Sequence, residues 1–286
     1  VYFPARASAL VNELYLAAAR NQVYAKQQRS STNFWADETQ RLFRADTALM
    51  GEFNRELAGG KWNQFMDQPH LGYMSWNDPP VNSLRHINLE SYDVPREAGM
   101  GISIEGSELA WPDSINKAVL PEFDVFNKQI RYVEIFNRGK EAFDYTIAAD
   151  PWIVLGQHQG SIDEDTRIPV SINWDKVGEG RSTGTITIAG SGSTVEVAVS
   201  AFKPVEVKPE NLRGFVEANG YVSMEAEHYT RNLSAKESHW LKIEDFGHTL
   251  SGMRATCGIN TPVLTPGKDS PCLEYSMYLF SEGDAE

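Results

Sequence analysis

The spacing of apolar residues changes near Pro95, and this change constrains the fold more than any other feature of the sequence. Before Pro95, apolar side chains recur every three to four residues, a spacing that places them on one face of a helix. After it, apolar and polar residues alternate, which is typical of strands with one buried face. The sequence therefore predicts an α+β protein with several domains.

Residues 1–94 are predicted to form a helical bundle. A first helix ends near Arg29, and the hydroxyl side chains of residues 30–32 offer caps for a second helix. The pair Gly59-Gly60 suits the left-handed backbone that ends a helix. A third, short helix is predicted over residues 61–67.

Residues 95–204 are predicted to form an Ig-like β-sandwich, because many short strands separated by turn signals favour that architecture. The clearest hairpin is TGTITIAGSGSTVEVAVSAF at 183–202, with its turn at 190–193. Residues 205–286 are predicted to be a further β domain, with a turn at Asn219-Gly220, and to be too short for a complete one.

The charge balance argues against two classes of partner. The chain has 26 Lys and Arg against 39 Asp and Glu, a net charge of −13, and no basic cluster. Such a chain repels phosphate backbones and anionic surfaces. No apolar run approaches the length of about 18 residues that spans a bilayer. We expect neither a nucleic-acid partner nor a membrane.

Some features of the sequence leave alternatives open. The start at VYFPARAS, with no charged leader, indicates a segment of a longer protein. Cys257 and Cys272 fit either one disulfide bond or two buried thiols. Asn232 begins the only N-glycosylation triplet, a pattern that also arises by chance.

The run GGKWNQFMDQPHLGYMSWNDPP, residues 59–80, is rich in aromatic and amide side chains. Rings stack on sugar faces and amides bond hydroxyl groups, but rings of this kind also seal junctions between domains. The candidate substrate-binding residues are Tyr73, Trp76 and His70. A lone histidine such as His70 is typical of a hydrogen-bonded structural residue.

Standard catalytic motifs, such as a nucleophile elbow, a paired-histidine zinc helix or a P-loop, do not occur. The triplet of acidic residues at 163–165 is typical of a solvated turn. Glu134 lies in a predicted strand and cannot be paired with another carboxylate from sequence. Glu225 and Glu227 would share one face of a strand, where they either face solvent or hold a hard cation such as calcium.

Several long motifs, in order, resemble glycoside hydrolase family 115. YFPARASALVNELYLAAARNQVYAKQQRSS and the 59–80 run resemble its helical domain. GISIEGSELAWP, LPEFDVF, IRYVEIFNRG and FDYTIAADPWI resemble the β-rich region that follows. VSMEAEHYT and FGHTLSGM resemble the opening of its C-terminal domain.

This resemblance implies a secreted-type, extracellular or periplasmic xylan α-1,2-glucuronidase that removes glucuronic acid or its 4-O-methyl form by inversion. The family's catalytic residues lie in a barrel that precedes the helical domain, so we assign no catalytic residue here and expect no cofactor for catalysis. The chain would support the enzyme by domain packing, and its β domains would orient the enzyme or form a homodimer. Xylan or a glucuronoxylan oligosaccharide would be bound through the full-length enzyme.

The EAEHY opening also resembles carbohydrate-binding modules with a jelly-roll fold, in which a glutamate of this segment ligates a structural calcium. By that resemblance, Glu225 and Glu227 are candidate calcium ligands and residues 205–286 begin a jelly-roll-like domain. The alternative for the whole chain is a non-catalytic carbohydrate-binding or oligomerisation module, with Trp76 and Trp111 as its candidate stacking rings.

Overall fold

The structure is a computed structural model that describes residues 2–77, 79–205, 207–235, 238–256, 265 and 268–282. Two long helices come first and short strands follow, so the predicted α+β class is confirmed. Contacts divide the chain into two units. The first unit contains residues 1–120, 131–170 and 185–198, and the second contains residues 121–130, 171–184 and 199–286.

The helices are α1 (Tyr2–Gln27) and α2 (Thr32–Gly51), extended by a π-helical turn (Glu52–Glu56) and a 3₁₀ turn (Leu57–Gly60), with a later 3₁₀ turn at Pro209–Asn211. The strands are β1 (Met100–Ile104), β2 (Ala118–Val119), β3 (Phe123–Asp124), β4 (Arg131–Asn137), β5 (Phe143–Ala149), β6 (Ile153–Leu155), β7 (Gln159–Ile162), β8 (Asp165–Ile172), β9 (Gly180–Gly190), β10 (Ser193–Lys203), β11 (Phe215–Val216), β12 (Arg231–Leu233), β13 (Trp240–Ile243), β14 (Gly252–Ala255), β15 (Cys272–Glu274) and β16 (Met277–Tyr278).

The apolar faces of α1 and α2 form the core of the helical part, as their spacing predicts. Leu14 and Ala17 of α1 and Leu42 of α2 are buried together with Leu71 from the following loop. A buried polar contact supports this packing: the side chain of Asn21 donates to the carbonyl oxygens of Thr32 and Glu90 at 3.0 and 2.9 Å.

The predicted third helix at 61–67 is wrong, because residues 61–66 form turns. Ala58, Gly59 and Gly60 all have positive φ values, 52°, 64° and 80°, so the backbone leaves the helical region before residue 61. The left-handed conformation predicted for the two glycines is confirmed. The described residues from there to β1, which exclude residue 78, form no helix or strand.

At the start of α2, the hydroxyl hydrogen bond that forms is not the predicted N-terminal cap. Ser31 precedes α2 but makes no side-chain capping bond. Instead, Thr32 Oγ1 donates to the carbonyl oxygen of Arg29 at 2.7 Å. The hydroxyl therefore satisfies the end of the preceding segment rather than an amide of the new helix.

The strands between β1 and β10 form two sheets, with strand orders β1-β4-β8-β6 and β2-β10-β9-β5-β7, and β3 also pairs with β10. Buried residues alternate along β5, β9 and β10, as the sequence predicts. The predicted hairpin is confirmed: β9 and β10 are neighbours, and Ser191 and Gly192 between them have φ values of 44° and 73°. The Ig-like arrangement stays a prediction.

The C-terminal strands form three pairs, β11-β16, β12-β15 and β13-β14. The predicted Asn219-Gly220 turn is confirmed by φ values of 55° and 79° and by reciprocal backbone bonds between Ala218 and Tyr221. The jelly-roll assignment and the domain limits 1–94, 95–204 and 205–286 stay predictions. Neither helix of the described residues has the length and hydropathy that crossing a membrane requires.

Candidate functional site

The first unit contains a cavity of about 580 Å³ between α1, the end of α2 and the loop at 65–73. Aromatic rings, aliphatic groups, hydroxyls and amides line it together. The lining residues are Phe3, Pro4, Ala7, Ser8, Val11, Asn12, Met50, Phe65, Met66, Gln68, Pro69, His70 and Tyr73. Two of the three predicted substrate-binding residues, His70 and Tyr73, therefore meet in one cavity.

His70 is held by a buried carboxylate. Its Nε2 lies 2.7 and 2.9 Å from the two carboxylate oxygens of Asp46, and Asp46 is fully buried on α2. Because both neighbours of Nε2 are acceptors, Nε2 carries a proton and donates it. Nδ1 then accepts a hydrogen bond in the neutral ring and donates one in the charged ring.

The loop that carries His70 is fixed at its backbone. Asn82 Oδ1 accepts from the amides of His70 and Leu71 at 2.8 and 3.0 Å, and Leu71 is fully buried in the helical core. Tyr73 donates its hydroxyl to the carbonyl of Pro69 at 2.9 Å, which orients the ring. The imidazole and the phenol ring are therefore positioned before any ligand arrives.

Asp46 is the residue of this site that sequence reasoning missed. A signal for it exists: Asp46 follows Leu42 by four residues and precedes Leu49 by three, and all three side chains are buried. A carboxylate within an apolar helical stripe needs a partner, because a buried charge is costly unless it is paired. The sequence does not show that the partner is 24 residues away.

The two tryptophans of the predicted stacking set lie elsewhere. The side chain of Trp76 is 90% exposed and is not among the lining residues of the cavity. Trp111 is buried, and its Nε1 donates to the carbonyl of Asn116 at 2.6 Å. The side chain of Trp111 is therefore almost fully buried, although it contributes to the lining of a separate cavity of about 430 Å³.

A second group of polar residues surrounds Arg29, which is buried two residues after the end of α1. Its Nη2 donates to Glu134 Oε2 at 2.7 Å and to Ser103 Oγ at 2.8 Å, while Nε donates to Gln27 at 2.6 Å. Arg167 Nη2 donates to the other oxygen of Glu134, also at 2.7 Å. Sequence reasoning left Glu134 without a partner, because Arg29 is 105 residues away.

The two carboxyl groups near Arg29 respond to burial in opposite ways. Burial tends to raise the pKa of Glu134, but hydrogen bonds from Arg29 and Arg167 outweigh it and hold that pKa below its ordinary value. Burial raises the pKa of Asp165, although Arg29 Nη1 lies 3.7 Å from its Oδ2 and opposes the change. Asp163 and Glu164 lie in an exposed bend, as the sequence predicts, whereas Asp165 begins β8 and, although exposed, forms an ion pair with Arg29.

Glu225 and Glu227 lie in a turn and not in the strand that the sequence predicts. The amide of His228 donates to the carbonyl of Glu225 at 3.0 Å, which closes this turn. Thr249 donates its hydroxyl to Glu225 at 2.6 Å, and Lys242 Nζ lies 3.2 Å from Glu227 Oε2.

Calcium binding by the two glutamates stays a prediction. In the described ranges, no group of three or more His, Cys, Asp and Glu side chains is arranged to hold a metal ion. Cys257 lies outside the described residues, so both interpretations of the cysteines stay predictions, as does glycosylation of Asn232.

A family comparison bears on the C-terminal quarter of the chain. Residues 214–286 match the model of the glycosyl hydrolase family 115 C-terminal domain. The match supports, for this part of the chain, the family that the motifs resemble, and it indicates a portion of a glycoside hydrolase. No match was found among curated proteins.

Solved structures show only weak similarity. A FixG-related protein from Vibrio parahaemolyticus is 14% identical, over 38% of this chain and 97% of that chain, with a TM-score of 0.25. A PapD-like domain of human CEP192 is 8% identical, over 49% of this chain and 100% of that chain, with a TM-score of 0.28. The CsuC-CsuE chaperone–adhesin complex from Acinetobacter baumannii is 9% identical, over 54% and 85%, with a TM-score of 0.26. Similarities this low carry no argument about the chain.

Proposed function

We propose that this chain is the C-terminal portion of an extracellular or periplasmic xylan α-1,2-glucuronidase, which removes glucuronic acid or 4-O-methylglucuronic acid side chains from xylan. The match of residues 214–286 to a glycosyl hydrolase family 115 domain supports this proposal. So do the motifs of residues 1–204, which resemble the preceding regions of that family in the same order.

Within that enzyme, the cavity beside His70 and Tyr73 contacts the sugar substrate. This cavity is the observation that carries the proposal. Its volume lies within the range of about 300–1,000 Å³ that is usual for small-ligand sites. Phe65 and Tyr73 offer ring faces, while Asn12 and Gln68 offer amide groups. Rings for the apolar face of a pyranose and amides for its hydroxyls are what a saccharide requires.

The role of the cavity is binding and not bond cleavage. Inverting glycosidases need two carboxyl groups about 6.5–9.5 Å apart. The described residues that line the cavity include no Asp or Glu. The carboxylate of Asp46 is fully buried behind His70. We assign the catalytic acid and base to a barrel in another part of the parent protein, as the resemblance to family 115 implies, and the exposed side chains of Trp62, Met74 and Trp76 pack against it.

The binding role is tested with xylan oligosaccharides that carry 4-O-methylglucuronic acid. We expect the 286-residue chain to bind them in isothermal titration calorimetry, and Tyr73→Ala to weaken the binding about tenfold, since a lost stacking face costs about 1 kcal/mol or more. Tyr15→Ala is the matched control, because Tyr15 is also a half-exposed tyrosine but lies outside the cavity lining. Equal binding by both variants would contradict the role of the cavity.

The catalytic role of the absent barrel is tested separately. We expect the 286-residue chain to release no 4-O-methylglucuronic acid from glucuronoxylan. Release by the purified chain, quantified by chromatography, would show that the acid and base lie within these residues and would overturn the proposal.

The alternative function, a non-catalytic carbohydrate-binding module, is favoured by one observation, the exposed ring of Trp76. In that case Trp76→Ala abolishes retardation in xylan affinity electrophoresis, while Tyr73→Ala retains it. A homodimer, which either function allows, is tested by sedimentation of the native chain.

A further inference from the structure

A second cavity in the first unit has a lining unlike that of the cavity beside His70 and Tyr73, which we call the sugar cavity. It measures about 260 Å³ and lies beside Arg29. Three arginines, two tyrosines and one carboxylate contribute to it. The lining residues are Ala19, Arg20, Val23, Tyr24, Gln27, Arg29, Ser103, Ile104, Gly106, Ser107, Tyr132, Glu134 and Arg167. We call this cavity the arginine crevice.

The arginine crevice carries a local excess of positive charge. Arg20, Arg29 and Arg167 face a single lining carboxylate, that of Glu134. Asp165, outside the lining, adds one further carboxylate near Arg29. This local positive charge attracts a small anion to the cavity, although the chain as a whole carries a net charge of −13.

One buried nitrogen of the crevice has no hydrogen-bond partner within the described part of the chain. The side chain of Arg29 is 2% exposed, and three of its donor contacts use Nε and Nη2. Nη1 makes no hydrogen bond, and its contact with Asp165 Oδ2 is a long ion pair at 3.7 Å. A buried charged donor without an acceptor is costly, so an acceptor brought by a ligand is stabilised there.

The second donor of the crevice is Arg20, about two helical turns before the end of α1. Its guanidinium lies over the ring of Trp35, 4.5 Å from the centroid. Across the described residues, no carboxylate lies within ion-pair distance of Arg20. When a guanidinium stacks on an aromatic ring, the N–H groups at its edge stay available to an acceptor that lies in the guanidinium plane.

We propose that the arginine crevice binds a small carboxylate anion, with Arg20 and Arg29 Nη1 as the donors. A planar carboxylate matches the fork of a guanidinium and accepts two parallel N–H bonds. The volume, below the usual range of about 300–1,000 Å³ for larger ligands, suits a small molecule. The inference does not depend on the proposed function, because it involves neither the sugar cavity nor xylan.

The test uses acetate, which has the carboxylate but no sugar ring that could occupy the sugar cavity. The native chain is titrated with sodium acetate at constant ionic strength and followed by calorimetry and by NMR of the arginine Nε–H groups. We expect saturable binding by the native chain and a loss of about tenfold or more in Arg20→Gln, because a charge-assisted hydrogen bond is removed. Glucose, which is neutral, is expected to leave the arginine signals unchanged.

Arg6→Gln is the matched control, since Arg6 is a half-exposed arginine on the same helix that lies outside the crevice. It removes the same charge and is expected to bind acetate like the native chain. Arg20→Lys, which keeps the charge but loses the fork, is expected to bind acetate with intermediate affinity and guards against misfolding of Arg20→Gln. Absence of saturable acetate binding, or equal binding by the native chain and Arg20→Gln, would overturn the proposal.

Discussion

Individual side-chain contacts determine the stability of the region around Arg29. Glu134 receives one arginine on each carboxylate oxygen, Arg29 on Oε2 and Arg167 on Oε1, both at 2.7 Å. Arg29 also lies over the rings of Tyr24 and Phe136, 4.0 and 4.2 Å from their centroids. Loss of the Glu134 charge leaves the buried guanidinium of Arg29 with a weaker partner. The resulting decrease in the free energy of unfolding depends on pH.

We expect Glu134→Gln to lower the free energy of unfolding by about 2–3 kcal/mol at pH 7. This is below the roughly 3–5 kcal/mol found when one partner of a fully buried pair is removed, because the Glu134 side chain keeps some exposure. The pKa of Glu134 is lowered in the folded chain, so its stabilisation is complete above the ordinary value of 4.5 and is lost as the pH falls through the folded pKa. The difference between native chain and variant should therefore shrink below pH 4.5.

Urea unfolding at pH 7 and at several values below 4.5 measures this difference, and Glu13→Gln, an exposed glutamate of α1, is the control. The raised pKa of Asp165 acts in the opposite direction: its contribution is present below its ordinary value of 3.8 and is lost as the pH rises through the folded pKa. The Asp165 contribution cancels between the native chain and Glu13→Gln, but not fully in Glu134→Gln, because the charge of Glu134 helps to raise the pKa of Asp165. A difference that stays constant over this pH range would contradict the role assigned to Glu134.

The residue types in the sequence predicted part of the candidate site, but they did not predict which side chains contact each other. His70 and Tyr73 are three positions apart in an aromatic run, so the sequence predicted both. Asp46 is 24 positions from His70, and a contact across that distance depends on how the loop folds back on α2. Hydrophobic periodicity places a face of a helix in the core, but it does not identify the side chain that a buried charge meets.

At the scale of elements, the pairing of β1 with β4 requires a glycine. Gly101 lies opposite Phe136, which is fully buried. A Cβ at position 101 would lie 2.1 Å from the ring of Phe136, far inside contact distance. The two strands therefore approach as they do because position 101 has no side chain.

We expect Gly101→Ala to lower the free energy of unfolding by about 1–3 kcal/mol, the usual cost of overpacking a core. Gly178→Ala is the matched control, since a Cβ there meets nothing within 4 Å and its φ is not positive. Thermal unfolding followed by circular dichroism measures both variants. A native-like midpoint for Gly101→Ala would show that the ring of Phe136 moves aside at little cost.

Element types and turns were predictable where a local rule decides them. The change of period at Pro95, the hairpin at 190–193 and the Asn219-Gly220 turn all follow from local backbone preference. Predictions failed where a short segment had no strong local signal: residues 61–67 are too few to sustain a helix alone, and Glu225 to Glu227 form a turn. The turns at 61–66 have local backbone hydrogen bonds, whereas the 225–228 turn also receives a hydrogen bond from Tyr275 to the carbonyl of Ala226, 49 residues away.

At the scale of the whole molecule, composition shifts predicted a boundary near residue 205. Within the second unit, however, an aromatic cluster joins residues from both sides of that position. Phe280 lies 5.6 Å from Phe126 and 4.9 Å from Phe202, measured between ring centroids, and 5.2 Å from Tyr278. A linker-like composition shows that a segment has few apolar residues of its own. It does not show whether aromatic residues from later in the sequence pack against residues that precede the segment.

This cluster should make the C-terminal segment unfold together with Phe126 and Phe202. We expect Phe280→Ala to lower the free energy of unfolding of this unit by about 1–3 kcal/mol, less than the roughly 3–5 kcal/mol of a fully buried phenylalanine, because Phe280 is half-buried. Phe246→Ala is the matched control in the same segment, since the side chain of Phe246 is 73% exposed. Differential scanning calorimetry and hydrogen exchange measure the effect: amides of Val125 and of β11 should lose protection together in Phe280→Ala. Loss of protection in β11 alone would mean that the aromatic cluster does not couple residues on the two sides of position 205.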